Sequence, residues 1–139
     1  MIDRVFSKNS YTAMFFGIVT TIAAQSSSIT TALLIPLAGS GILSVKSVYP
    51  VTVGANIGTT GTALLAAMTG NMAGLAIALV HLIFNLLGTA LFFVIPAMRQ
   101  IPIYCAELLA TSIDKTKLIC FGYVGVVFFV LPLSMIYFL

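Results

Sequence analysis

The sequence predicts an all-α polytopic membrane protein, and three observations carry that reading. Of its 139 residues, 60% are hydrophobic and 6% charged, and the mean hydropathy is +1.18, a balance no water-soluble domain shows. Two uninterrupted apolar runs, 75–95 and 118–139, are each long enough to cross a hydrocarbon core of about 30 Å as a helix. Two further apolar segments hold polar residues in their middle, Gln25-Ser26-Ser27-Ser28 and Gly54-Ala55-Asn56-Ile57-Gly58-Thr59-Thr60. Hydrocarbon offers such groups no hydrogen-bond partner. The two interruptions therefore point to a polar binding site held at membrane depth.

Residues 11–24 and 29–38 are apolar halves on either side of the serines. At about 1.5 Å per residue each half falls short of the core thickness. A re-entrant helical hairpin over 11–38, with the Gln-Ser-Ser-Ser element at its tip, fits this better than one tilted, broken helix, which stays as the alternative. An N-terminal signal peptide is disfavoured, because cleavage after Ala23-Ala24 would cut into the tip. Segment 45–69 is predicted as a helix broken midway by Gly54, Asn56 and Gly58. Gly54 and Gly58 also match the spacing of close helix contacts.

Asn71–Gly74 reads as an uncharged turn leading to the transmembrane helix 75–95, where His81, Asn85 and Gly88 share one face. Pro96 ends that helix. Residues 97–117 hold Arg99, Glu107, Asp114, Lys115 and Lys117 around a short apolar stretch and read as an interfacial connection. The transmembrane helix 118–139 follows. With a re-entrant first hairpin, all six basic residues fall on one side, which the positive-inside rule makes cytoplasmic. These scattered cations form no basic face, so nucleic-acid binding is excluded. Cys105 and Cys120 lack partners at ligand spacing and read as inert thiols.

The helix beginning near Ser26 presents unpaired N–H groups, the positive end of its dipole and three hydroxyls, a donor set suited to an oxyanion. Ser26 as an ordinary helix cap is the simpler reading of the same residues. At the second motif, carbonyls freed by a helix break, with Thr59, Thr62 and the Gln25 carbonyl, would give a small hard cation an all-oxygen shell. A Gly-Thr packing seam is the alternative there. Apart from Lys46 near an end, the membrane segments hold no Arg, Lys, Asp or Glu. A multiply charged anion would therefore depend on co-bound cations, which is a physical basis for coupling. His81 is the one ionisable group on helix 75–95, either a proton carrier or a neutral interhelical partner. An enzyme is disfavoured, since a nucleophilic serine would have only His81 as a base.

Together the Gln25–Ser28 element, Tyr49-Pro50 leading into Gly54–Thr60, and the His81–Gly88 helix followed by Pro96 and Arg99-Gln100-Ile101-Pro102 resemble the sodium-phosphate cotransporter family, the type II sodium-dependent phosphate transporters and their bacterial relatives. The resemblance implies a fold of two inverted repeats, of which this chain looks like the second. It implies sodium-coupled uptake of inorganic phosphate across the cell membrane, with no cofactor beyond sodium as co-substrate. Carried over, the sodium residues are Gln25, Ser26, Thr59 and Thr62. The phosphate residues are Ser26, Ser27 and Ser28, with Asn56 as a positioning member of that wall. The complementary repeat would come from the same polypeptide, a separate chain or a second copy. A noncatalytic membrane scaffold, in which the polar motifs only pack helices, is the competing expectation.

Overall fold

The structure, a computed structural model, describes residues 2–138 and is helical almost throughout. Contacts divide it into two compact units, one ending at Ile103 and the other beginning at Tyr104. The first contains α1 (Ile2–Lys8), α2 (Ser10–Ala24), α3 (Ser27–Gly39), α4 (Val45–Ala67), α5 (Met72–Thr89) and the start of α6 (Pro96–Lys115). The second contains the rest of α6, α7 (Leu118–Gly125), a π-helical turn at Val126–Val130, and α8 (Leu131–Phe138). Met72–Val94 and Leu118–Phe138 are each long and apolar enough to cross a membrane. Cys105 and Cys120 are free thiols.

Asn9 caps α2, its Oδ1 accepting from the N–H groups of Tyr11 and Thr12. Gln25 ends α2 in the left-handed region, at φ 52° and ψ 25°, and Ser26 opens α3 in an extended conformation. This two-residue link sends α3 back along α2. Leu34 and Leu37, late in α3, share an apolar groove with Phe16, early in α2. The buried Thr21 hydroxyl donates to Thr30 across the two legs at 2.9 Å.

α4 then runs beside α2 in the same direction, and glycine makes that contact possible. A Cβ at Gly17 would collide with the main chain at Val51, and one at Gly54 with the main chain at Met14. At Gly58 it would lie 2.9 Å from both the Ile18 carbonyl oxygen and the Thr21 Cβ. The expected break at Gly54–Gly58 is absent: α4 is continuous over 23 residues. The glycines serve close approach rather than bending. The intrinsic helix cost of Gly, Asn and Thr is overridden by packing against α2. Thr59, Thr60 and Thr62 settle their hydroxyls on carbonyls of their own helix, at Ala55, Ile57 and Thr59.

Asn71 is a cap rather than the first residue of a four-residue turn, its Oδ1 accepting from Gly74 N at 2.8 Å, so α5 starts at Met72. A π-helical turn, Ala90–Val94, ends it. Ile95 is extended, as the residue before a proline prefers, and Pro96 opens α6 at the first-turn position that tolerates it. The connection predicted over 97–117 is thus largely helical. Phe93 is fully buried. Tyr11 stands edge-on to its ring at 5.4 Å, and the Arg99 guanidinium lies over it at 4.6 Å. Arg99 also donates to the Phe93 carbonyl and to Ser10 Oγ, both at 3.0 Å, while Tyr49 donates to the Phe92 carbonyl at 2.9 Å. Carbonyls at the π turn are satisfied by two side chains from outside it.

α1, which periodicity does not reveal, is pinned to the start of α4. Asp3 Oδ1 accepts from Ser44 N at 2.8 Å, Ser44 Oγ at 2.9 Å and Ser47 Oγ at 2.7 Å. These donors, the Ser44 backbone N–H foremost, hold the Asp3 carboxyl below its ordinary value. Arg4, Lys8, Lys46 and Arg99 consequently gather at one end of this unit, opposite the Gln25–Ser26 turn.

Two outcomes follow. Gly54→Ala should destabilise the protein by about 1–3 kcal/mol or more, since main chain cannot yield to the added methyl. Gly61→Ala, where the space is open, should gain up to about 1 kcal/mol from helix propensity; thermal unfolding in mild detergent compares the two. The Asp3 tether, with its depressed carboxyl, should be at full strength above the ordinary value of 3.8 and weaken as pH falls through the lower folded value. Hydrogen exchange at the Ser44 amide should accelerate in that acid window and, in Asp3→Asn, be fast and nearly pH-independent once intrinsic exchange is subtracted.

Candidate functional site

Because α4 and α2 run in register from Gly17 and Gly54 upward, the end of α2 arrives beside the fifth turn of α4. Gln25, Thr59 and Thr62 there line one open groove of about 530 Å³, with Ile22, Ala63 and Ala66 among its walls. Gln25 is exposed and the two threonines are half-buried. No ionisable side chain lines this groove. Each threonine hydroxyl spends its proton on a helix carbonyl, Thr59 at 3.0 Å and Thr62 at 2.9 Å. Its oxygen lone pairs are left for an outside donor or a cation. In an unbroken α4 the carbonyls stay internally bonded, so the oxygens that α4 offers this groove come from its side chains.

Ser26 adjoins Gln25 but does not line the groove. Its Oγ accepts from Ile29 N at 3.3 Å, the ordinary capping contact, and its carbonyl accepts from Thr30 N and Thr30 Oγ1 at 3.3 Å each. Ser27 and Ser28 occupy the first turn of α3. Their N–H groups find no acceptor among the described residues, and their hydroxyls are half-buried and exposed respectively. The α3 start therefore offers two free N–H groups, two uncommitted hydroxyls and the positive end of a 13-residue helix.

Asn56 is separated from the serines. It lines a smaller cavity of about 140 Å³ between α4 and α5, with Tyr49, Asn85, Gly88 and Thr89. Asn85 Nδ2 reaches the Asn56 carbonyl at 3.4 Å. His81, on the same predicted face, is exposed, lines neither cavity and makes no hydrogen bond among the described residues.

Two features escaped the sequence reading: the left-handed backbone of Gln25 and the Thr21–Thr30 pair. Gln25 is the only described residue other than glycine with positive φ, a conformation that costs an L-residue roughly 1–2 kcal/mol and is typical of functional turns. Thr21 and Thr30 stand four residues before Gln25 and four after Ser26. That symmetry was available in the sequence as a sign that they face one another.

Comparison with known proteins adds an independent line. The family model described as Na+/Pi-cotransporter matches residues 2–135. The chain is 39% identical over 128 residues to sodium-dependent phosphate transport protein 2C of Homo sapiens, covering 89% of this chain and 21% of that protein. It is 41% identical over 128 residues to the Homo sapiens 2B protein, covering 89% and 18%, and 40% identical over 126 residues to the 2A protein of Oryctolagus cuniculus, covering 88% and 20%. The chain thus spans about a fifth of the length of these curated relatives. No solved structure matches it significantly.

Since Thr21 donates and Thr30 accepts at a buried site, the two should respond unequally to mutation. Thr30→Val strands a buried donor and should cost about 1–3 kcal/mol. Thr21→Val should cost less, because Thr30 keeps its bond to the Ser26 carbonyl. The double variant should fall well short of the sum, as a thermal-unfolding cycle would show.

Proposed function

The chain belongs to the Na+/Pi-cotransporter family, and from that premise we propose that it supplies one half of a pathway for sodium-coupled transport of inorganic phosphate. The observation that carries this reading is the groove that joins Gln25 to Thr59 and Thr62 directly beside the start of α3. Three side-chain oxygens favour a hard cation, and the free donors of Ser27 and Ser28 favour an oxyanion. The hydroxyl proton of Ser26, whose oxygen is already a cap, can serve the anion, and its position next to Gln25 lets it border the cation.

Hard cations take about six oxygens or more, and this wall provides three or four. Water, phosphate itself and the complementary repeat complete the shell on this reading. Sodium compensates the anion in a groove without fixed positive charge, so each ligand raises the other's affinity by the same factor. The process is translocation without covalent chemistry. Asn56 acts by bridging α4 to α5 rather than by touching the anion.

Membrane placement follows the same logic. α4 has 23 residues, or about 34 Å, enough to span, whereas α2 stops after 15, or about 22 Å. If α4 crosses the bilayer, the hairpin tip lies inside it and α2–α3 is re-entrant. The end carrying Arg4, Lys8, Lys46 and Arg99 is then cytoplasmic, with residues 97–117 on the same side of the cell membrane.

One observation favours the competing scaffold reading: the glycines of α4 are used for packing and its threonines bond their own helix. Labelled phosphate separates the two. With its complementary repeat in proteoliposomes, the protein should take up phosphate with an inward sodium gradient and lose uptake when choline replaces sodium. Gln25→Gly relieves the left-handed backbone, so the variant should remain at least as stable while needing about tenfold more sodium or beyond. Undiminished sodium affinity in that folded variant would establish the scaffold role for the tip.

A further inference from the structure

We propose that the face where α1 meets the α2–α3 hairpin binds one anionic glycerophospholipid, its phosphate between Arg4 and Lys8 and an acyl chain in the neighbouring apolar groove. α1 is held in one orientation. Asp3 is tied to Ser44 and Ser47, and Phe6 is buried, its ring 5.3 Å from that of Phe16. Arg4 and Lys8 therefore face outward together, both exposed and one helical turn apart. Like charges at that spacing destabilise a helix. The only carboxylate in the unit ending at Ile103 is Asp3, and its Oδ1 already accepts three donors at the start of α4. The cations are thus left for an anion from outside.

Two adjoining grooves identify the anion's carrier. The first, about 500 Å³, is lined by Arg4, Val5, Lys8, Asn9 and Thr12. The second, about 310 Å³, is lined by Val5, Phe6, Phe16, Leu34, Leu37 and Leu43, all apolar. Val5 is common to both, and Thr12 and Phe16 are one turn apart on α2, so the basic groove continues into the apolar one. A dry cavity of about 150 Å³ already takes up benzene, so the second groove has room for a length of hydrocarbon chain. A soluble phosphate would satisfy the cations and leave that groove empty; a phospholipid fills both. The four basic residues at this end match the charge of such a ligand, and in the orientation proposed above they face the leaflet where anionic lipids concentrate. The proposal is independent of phosphate transport, since its readout is lipid retention.

The test is native mass spectrometry of the detergent-purified protein titrated with phosphatidylglycerol or phosphatidylcholine. One phosphatidylglycerol should be retained at least about tenfold more tightly than phosphatidylcholine. Lys8→Gln should weaken it about fivefold, while Lys46→Gln, which removes the same charge from the same end but outside the groove, should leave it unchanged. Glycerophosphoglycerol, the headgroup without chains, should not displace the lipid at equal concentration. Equal retention of the two lipids, an equal loss in Lys46→Gln, or full displacement by the headgroup or by inorganic phosphate would each overturn the assignment. Lys8 is exposed and makes no contact the fold needs, so loss of binding in that variant is not loss of structure.

Discussion

Everything in the first unit is positioned by one contact, the main chain of α2 against the main chain of α4 at Gly17, Gly54 and Gly58. Because neither side has a Cβ to spare, the register between the helices is fixed to the residue. Ile18 and Thr21 rest on Gly58, and one turn further Ile22 and Gln25 arrive beside Thr59 and Thr62. The groove is a consequence of that register. Its polar members come from segments some 35 residues apart in sequence, yet no loop has to be ordered to bring them together. The buried Thr21–Thr30 bond transmits the same register to α3, and so to the serines at its start.

Both polar motifs turn out to have a structural layer and a chemical layer. In the second motif the glycines pack and the threonines present oxygen lone pairs, roles carried by different residues of one continuous helix. In the first, Gln25 turns the chain and reaches into the groove, Ser26 caps, and Ser27 and Ser28 are left with unused donors. The capping and seam readings of these residues are therefore true at the level of packing, and they are the means by which the remaining groups become available.

What the sequence made legible follows from what it encodes locally. The all-helical class, the bounds of α2 and α3, and the apolar Leu118–Phe138 run depend on hydropathy and on Gln25-Ser26, a link no continuous helix would carry at that place. The grouping of Gln25, Thr59 and Thr62 was read from oxygen chemistry and family resemblance. The continuity of α4 was not legible, because Gly, Asn and Thr lower helix propensity in isolation and only a partner as close as α2 reverses that. Nor was α1, whose seven residues are too few for a periodic signal and which depends on Asp3 meeting serines 41 and 44 residues away. Asn56 looked like a neighbour of the serines along the sequence motif, yet the turn of α4 carries it to the α5 side.

The π turn at Ala90–Val94 widens the end of α5 just before Ile95 breaks the helix. An extra residue in one helical turn amounts to a rotation of about 100°, felt here only by the last residues before Ile95. Asn85, Gly88 and Thr89 keep ordinary spacing along the small cavity, and Phe93, four residues beyond Thr89, lies inward under Tyr11 and Arg99. One helix thereby serves two partners in succession: a polar stripe for Asn56 above and an aromatic plug for the basic end below.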